Sequence, residues 1–202
     1  MKPLTGPVLT AAETRAAEEA AMAPGISVDT LMERAGLAIA EAVWRFGGGR
    51  PTLVLCGPGN NGGDGYVAAR ILKARGVDVR IAALASPATD VAKRAAETWA
   101  GPVEPLADAD SAPVIVDAVF GTRLSRPLDA ALKEALTRLR QSARMVIAAD
   151  VPSGVETDSG TDLGAMAADV TVALAAFKPA HLLQPSASRC GHIQIGRASC
   201  RE

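Results

Sequence analysis

The first 50 or so residues carry apolar side chains at intervals of three and four positions, a spacing that predicts two amphipathic helices. Thr10 and Glu13 have the spacing of a capping box, so we expect the first helix to begin there and to stop near residues 24–25. The second helix is predicted to start within residues 27–29 and to end at the glycines 47–49. Its apolar face consists of Leu31, Met32, Ala35, Ile39, Ala42 and Val43.

From residue 52 the pattern changes to short, almost continuously apolar runs, which are typical of buried parallel strands. These runs alternate with helical patterns, and this order predicts an α/β fold with a parallel sheet covered by helices on both faces. The predicted strands are 52–56, 77–84, 114–117, 145–150 and 168–176, with 192–195 as a candidate for one more. The predicted helices of this part are 66–74, 89–100 and 127–139.

Composition and charge argue against several classes of function. The 202 residues are 49% hydrophobic, which is enough for one packed domain or at most two small ones. Lys and Arg (21) balance Asp and Glu (22), so the basic excess of a nucleic-acid-binding protein is missing. We find no apolar run long enough to span a membrane and no export signal at the acidic N-terminus. Three widely spaced cysteines fit a reducing cytoplasm.

The last eight residues, IGRASCRE, differ in character from the rest of the chain. One codon choice for them, ATC GGA AGA GCG TCG TGT AGG GA, resembles a sequencing-library adapter read in frame. We therefore expect residues 1–194 to form the domain and residues 195–202 to be an artefactual tail on a truncated chain. The alternative is an ordinary polar tail.

Ligands of parallel α/β sheets bind beyond the carboxyl ends of the strands, so the polar segments there are the candidates for chemistry. The first such segment, Gly57–Gly65, reads GPGNNGGDG and contains a GxGxxG pattern, which alone is a weak signal. Its glycines allow a close backbone approach, and the amides of the following helix suit a phosphate. However, no acid ends the second strand to hold a ribose, and no GK[ST] follows.

Asn60, Asn61 and Asp64 distinguish this glycine loop from an ordinary one. Their side-chain oxygens could bind a hard cation or hydrogen-bond to a polar ligand. The alternative is a plain β–α turn in which Asp64 caps the next helix.

Two further strand ends carry carboxylates. Asp117 lies in an apolar run, where a carboxylate is costly unless paired or coordinated, and the loop after it offers hydroxyls and the guanidinium groups of Arg123 and Arg126 for phosphate. Asp150 directly follows another strand and could act as acid or base, and Ser153 could present an oxygen beside it. In the alternative reading both acids are turn residues and the arginines are solvated.

Lys178 ends a later apolar run and could reach the same edge of the sheet, or it could be a solvated lysine before a Pro turn. His181, Cys190 and His192 match no zinc spacing, so we expect structural roles for them. Taken together, three strand ends of one parallel sheet bring oxygen-rich side chains to one edge, which predicts a ligand site there.

Five motifs, in this order, resemble the NAD(P)H-hydrate epimerase family, also called the YjeF N-terminal domain family. They are LMERAG (31–36), GPGNNGGDGYVAAR (57–70), DAVFGT (117–122), DVPSG (150–154) and FKPA (177–180). The resemblance extends from about Leu9 to Ile195. It implies a Rossmann-like three-layer α/β/α sandwich with a mostly parallel sheet, commonly in a homodimer.

The resemblance also implies an activity, the interconversion of R- and S-NAD(P)H hydrate (NAD(P)HX). This is nucleotide repair, because a partner dehydratase, sometimes fused, uses only the S form. A potassium ion is implied, with Asn61, Asp117 and Ser153 at the matching ligand positions. The implied substrate-binding set is Asn60, Asn61, Gly62, Gly63, Asp64, Gly121, Thr122, Arg123, Leu124, Ser125, Arg126, Pro127 and Asp150.

The implied reaction inverts a hemiaminal carbon, which requires a proton carrier beside its hydroxyl group. We expect Asp150 to be that carrier, with Lys178 as its helper. Two departures from the family pattern are Arg123 in a loop that often reads GTGL, and Ala180 where Pro-Gly is common. The rival functions are a hydride-transferring Rossmann oxidoreductase and a non-catalytic dinucleotide-binding or protein-interaction module of the same fold.

Overall fold

The structure is a computed structural model and describes residues 6–22 and 25–196. Its helices are α1 (Ala11–Met22), α2 (Val28–Ala42, continued by a π-helical turn over Val43–Gly47), α3 (Asn60–Ala74), α4 (Asp90–Glu97) and α5 (Ala130–Ser142). Its strands are β1 (Thr52–Cys56), β2 (Val79–Ala83), β3 (Val103–Pro105), β4 (Val114–Ala118), β5 (Met145–Ala149), β6 (Val170–Leu174) and β7 (His192–Gly196).

All seven strands form one parallel sheet in the order β3-β2-β1-β4-β5-β6-β7. One apolar core lies between the sheet and α2, α3 and α4, and a second core lies between the opposite face and α5. Every residue of β1 and β4 is buried, which explains why these strands read as continuous apolar runs. The predicted α/β sandwich with helices on both faces is therefore confirmed.

The capping residues in the sequence predict the starts of the first two helices correctly. The amide of Thr10 donates to Glu13 Oε2 over 2.8 Å and the amide of Glu13 donates to Thr10 Oγ1 over 3.2 Å, so the predicted capping box is present. The side chain of Ser27 caps α2 by accepting from the amide of Thr30. Before α1, the amide of Leu9 donates to the carbonyl of Phe177, which ties the N-terminal segment to the chain after β6.

Two helix starts and one strand differ from the prediction. Helix α3 begins at Asn60 rather than at residue 66, so the glycines of the loop lie in its first turns and Gly59, not Asp64, occupies the N-cap. Strand β3 was not predicted, because it has three residues on a solvent-exposed edge. Helix α5 begins at Ala130 after the cap Asp129. The candidate strand at 192–195 is confirmed as β7, and residues 197–202 of the predicted tail lie outside the described residues.

Close packing explains why a glycine-rich segment forms a helix despite its low intrinsic propensity. A Cβ atom on Gly62 would lie 1.8 Å from the carbonyl oxygen of Gly57, and one on Gly63 would lie 2.6 Å from Met32 Cε. Glycine at these positions lets α3 lie directly against the end of β1 and against α2.

We expect Gly62→Ala to destabilise the fold by at least about 1–3 kcal/mol, because the added methyl group collides with backbone rather than with a movable side chain. Gly59→Ala is the matched control, since nothing lies within 4 Å of a Cβ there and its φ of −88° suits any residue. Urea unfolding of both variants measures the difference. Equal stability of the two would contradict this account of α3.

No helix within residues 6–22 and 25–196 combines the length and the apolar character needed to cross a membrane.

Candidate active site

The site lies where the strand order of the sheet reverses. From β1 the chain proceeds to β2 and β3 on one side and then returns to β4 on the other side, which opens a crevice beyond the ends of β1 and β4. The amide of Gly57 after β1 donates to the carbonyl of Ala118 over 3.1 Å. The amide of Phe120 after β4 donates to Ser153 Oγ after β5 over 2.8 Å. The three polar strand ends therefore meet, as their parallel order predicted.

The crevice contains a cavity of about 390 Å³. The loop after β4 contributes Arg123 and Arg126, which face it from the solvent-exposed rim. Three residues of the implied substrate set do not line the cavity: Gly62 and Gly63 pack against neighbouring elements, and Pro127 is exposed. The residues of that set that do line it are Asn60, Asn61, Asp64, Gly121, Thr122, Arg123, Leu124, Ser125, Arg126 and Asp150.

Asp117 and Ser153 form a buried pair at the base of this region. Ser153 donates from Oγ to Asp117 Oδ1 over 2.5 Å and from its amide to Oδ2 over 2.8 Å. Burial raises the pKa of the Asp117 carboxyl, and the hydrogen bonds from Ser153 partly counter that effect. Asp117 is thus hydrogen-bonded rather than a solvated turn residue, and in the described chain no Lys or Arg forms a salt bridge with it.

Asn61 lies next to this pair across the turn at Gly121. A Cβ atom on Gly121 would lie 3.4 Å from the Asn61 side chain, and the preceding residue bonds to Ser153. The side-chain nitrogen of Asn61 is buried without a hydrogen-bond partner in residues 6–22 and 25–196. Because the two ends of a carboxamide are interchangeable by rotation, this position can equally present an oxygen. An orphaned carboxamide beside a buried carboxylate and a hydroxyl suits a hard cation.

Asp150 and Lys178 form a buried ion pair at the end of β5. Lys178 is fully buried, and its Nζ donates to Asp150 Oδ1 and, over 2.6 Å, to the carbonyl of Leu174. The amide of Leu174 also donates to Asp150 Oδ1 over 3.1 Å. Asp150 adopts a left-handed backbone with a φ of 68°, which is uncommon outside glycine and points to a functional constraint. The reading of Lys178 as a solvated lysine is wrong.

His181 positions this pair and was missed as a site residue by sequence reasoning. Its Nδ1 accepts from the amide of Lys178 over 3.0 Å, so Nε2 carries the proton and donates to the carbonyl of Asp150 over 2.8 Å. Burial lowers the pKa of His181, which favours the neutral ring that this geometry needs. The available signal was its place three residues after Lys178.

Glu18 also lines the cavity, from α1, and its sequence environment gave no signal because AAETRAAEEA reads as a solvated helix. Partial burial and the charge of Asp150 raise the pKa of Glu18. A second, more apolar cavity of about 120 Å³ lies between α1 and α2. The two cavities are contiguous, since both are lined by Glu18, Asn60, Asp64 and Leu174.

With this geometry, comparison with known proteins decides the family. A family model described as YjeF-related protein N-terminus matches residues 28–180, which is most of the chain. The chain belongs to the YjeF-related N-terminal family. This confirms the resemblance inferred from the sequence motifs.

Relatives of the YjeF-related chain fall into two length classes. The NAD(P)H-hydrate epimerase of Bordetella pertussis is 40% identical over 158 residues, covering 75% of this chain and 68% of the relative. That of Rhodobacter capsulatus is 36% identical over 193 residues, covering 86% and 91%. The bifunctional NAD(P)H-hydrate repair enzyme Nnr of Thermofilum pendens is 38% identical over 197 residues, but the match covers only 38% of its length.

The fold agrees with that of a solved structure. The crystal structure of the yeast protein YNL200c superposes with a TM-score of 0.74 at 28% sequence identity. The match covers 86% of this chain and 82% of the yeast chain.

Four of the five YjeF-related motifs line the crevice or bond to a residue that does, and the fifth, LMERAG, packs against α3 and lines the smaller, contiguous cavity. Met32 and Gly36 of the LMERAG segment lie against α3, where a Cβ on Gly36 would be 2.4 Å from Val67 Cγ1. The FKPA segment delivers Lys178, and the DVPSG segment delivers both Asp150 and Ser153. The motifs therefore mark one site rather than separate structural features.

Proposed function

We propose that this protein catalyses the epimerisation of R- and S-NAD(P)H hydrate and is an isomerase of nicotinamide-nucleotide repair. The observation that carries the proposal is the buried Asp150–Lys178 pair, which lies at a cavity suited to a dinucleotide. The epimerase relative from Rhodobacter capsulatus supports the activity, because this chain covers 91% of its length.

The reacting carbon of the substrate is bonded to a hydroxyl group and to a ring nitrogen. Inversion of this carbon therefore requires loss and return of hydroxide, or opening of the ring. Either path needs a proton carrier at the hydroxyl. Asp150 suits this role because Oδ1 is held by Lys178 and Leu174, while Oδ2 has no hydrogen-bond partner among the described residues. Lys178 holds the carboxylate and His181 holds the backbone carbonyl of Asp150, which together fix a residue that lines the cavity.

The substrate is a dinucleotide, and the polar half of the cavity suits its pyrophosphate group. The first amides of α3, from Asn60 onward, have no partners within the helix and direct partial positive charge toward the crevice. Arg123, Arg126 and the hydroxyls of Thr122 and Ser125 line the facing loop. Charge-assisted hydrogen bonds from such groups bind phosphate oxygens strongly.

Potassium is proposed as the resident cation, held by Asn61, Asp117 and Ser153. The orphaned Asn61 carboxamide and the uncompensated Asp117 carboxylate support this assignment. The cation would supply the positive charge that the buried Asp117 lacks, and would thereby hold together the turn at Gly121 and the loop of Ser153.

We expect potassium to raise the melting temperature. At about ten times its Kd it adds about 1.4 kcal/mol, or about 3–6 °C, relative to choline chloride of the same ionic strength. Asp117→Asn should abolish this difference. Thermal unfolding followed by circular dichroism measures it, and equal melting temperatures of the wild type in both salts would contradict the cation site.

The activity is tested by incubating purified R-NADHX with the protein, with and without potassium, and resolving the epimers by chromatography. Formation of the S form above the spontaneous rate supports epimerisation. Binding without turnover by a folded protein would instead favour a non-catalytic module, and oxidation of added NAD(P)H with an acceptor would favour the oxidoreductase.

We further propose that a dehydratase consumes the S epimer, that the chain forms a homodimer and that it acts in the cytoplasm. The bifunctional relatives support the first point, because two repair activities share one chain there. The homodimer is supported by two exposed apolar side chains, Leu37 on α2 and Trp44 on its π-helical continuation. The cytoplasmic location is supported by Cys56 and Cys190, which are buried and form no disulfide, as is usual in a reducing compartment. Sedimentation velocity tests the dimer.

A further inference from the structure

Asp64 is a buried carboxyl group that the proposed mechanism has not used. It lies one turn into α3, is only 8% exposed and lines both contiguous cavities. Within residues 6–22 and 25–196, no group donates a hydrogen bond to the Asp64 side chain, and no Lys or Arg forms a salt bridge with it. An ionised carboxylate in that position is strongly unfavourable, whereas a protonated carboxyl group is tolerated.

The surroundings of Asp64 contrast with those of Asp150. The charged side chains near the two acids include Glu18 on α1 and Lys178, which is bound to Asp150. Arg123 and Arg126 lie on the exposed rim of the same cavity. Burial, followed by the charges of Asp150 and Glu18, raises the pKa of Asp64 well above its usual range. The cavity therefore holds one buried carboxyl group that favours the proton, Asp64, and one buried carboxyl group that is paired with an ammonium group, Asp150. The third carboxyl group, Glu18, is more exposed than either.

Two carboxyl groups with opposed surroundings in one site are the usual arrangement of a general acid and a general base. We propose that Asp64 is the general acid of the epimerisation and that Asp150 is its base. This inference rests on the proposed function. It gives Asp64 a catalytic role in addition to lining the substrate cavity.

The proton balance of this step is complete. The bond between the hydroxyl oxygen and the ring carbon breaks, the electron pair leaves with the oxygen, and Asp64 donates the proton that makes it water. The ring nitrogen shares its lone pair with the carbon as a transient iminium. Water then adds to the opposite face, Asp150 accepts its proton, and the nitrogen recovers its lone pair. The proton returns from Asp150 to Asp64 through solvent.

The first test is Asp64→Asn, which keeps the size of the side chain but cannot donate an acidic proton. We expect kcat for R-NADHX to fall about 10²-fold with KM changed by less than about threefold, because general acids typically contribute at least that much. Wild-type kcat should fall as pH rises through the raised pKa of Asp64, and the residual activity of the variant should lack this alkaline limb. Asp108→Asn, an exposed carboxylate outside the cavity, is the control.

Two further measurements separate catalysis from structure. In Asp64→Ala, formic acid in formate buffer can enter the space left by the side chain and should restore activity in proportion to its concentration, but it should not restore Asp64→Asn. In the infrared difference spectrum between wild type and Asp64→Asn at neutral pH, the stretching band of a protonated carboxyl group should be present. Its absence, or unchanged kcat in the folded variants, would overturn the acid role.

Failure of this inference is distinguishable from failure of the proposed function. A wild type that does not accelerate epimerisation would overturn the proposed function itself. A wild type that does, together with a fully active Asp64→Asn, would overturn only the assignment of Asp64.

Discussion

Asp150→Asn is expected to lower kcat for epimerisation by about 10²–10⁴-fold, the usual contribution of a positioned acid or base. Asparagine can still accept from the amide of Leu174 and tolerates the left-handed backbone at this position, so the loss reports the missing carboxylate. KM should change little, because the contacts proposed for the phosphates lie on α3 and the loop after β4. Initial rates with saturating R-NADHX, resolved by chromatography, measure the effect.

The control for Asp150→Asn is Asp90→Asn, since the Asp90 side chain is 86% exposed. Because the variant leaves Lys178 without its carboxylate, rates must be normalised to the folded fraction measured by circular dichroism at the assay temperature. Full activity of folded Asp150→Asn would show that another group carries the proton.

The sheet and its order of elements could be predicted from the sequence because burial on both faces leaves a direct imprint. All five residues of β4, including Asp117, are buried, a pattern typical of a parallel strand that helices cover on both faces of the sheet. The start of α3 could not be predicted in the same way. Its glycines oppose a helix by propensity, and the contact that requires them, between Gly62 and the carbonyl of Gly57, exists only in the folded chain.

The site was predictable to the extent that the sheet was. Parallel strands end at one edge, so the convergence of Asp117, Asp150 and the glycine loop followed from topology. The role of His181 did not, because it depends on the path of the chain after β6, which returns the ring to the carbonyl of Asp150. Glu18 reaches the cavity through the docking of α1, which no pattern within that helix reveals.

The sequence left open whether Lys178 is a site residue or a solvated lysine. The structure buries it completely, and this burial has a measurable consequence. Removing one partner of a buried ion pair leaves an uncompensated charge and typically costs about 3–5 kcal/mol. We therefore expect Lys178→Met to lower the free energy of unfolding by about that amount, because Asp150 is itself only 7% exposed.

A double-mutant cycle tests whether the cost arises from the pair. The double variant Asp150→Asn/Lys178→Met contains no unpaired charge and should recover a large part of the stability lost in the single variant, as measured by urea unfolding. Arg94→Met is the control, because Arg94 and Asp29 form an ion pair whose side chains are 51% exposed and should contribute only about 0–1 kcal/mol. If Lys178→Met lost no more stability than Arg94→Met, or if the losses of Asp150→Asn and Lys178→Met simply added in the double variant, the cost would not arise from the buried ion pair.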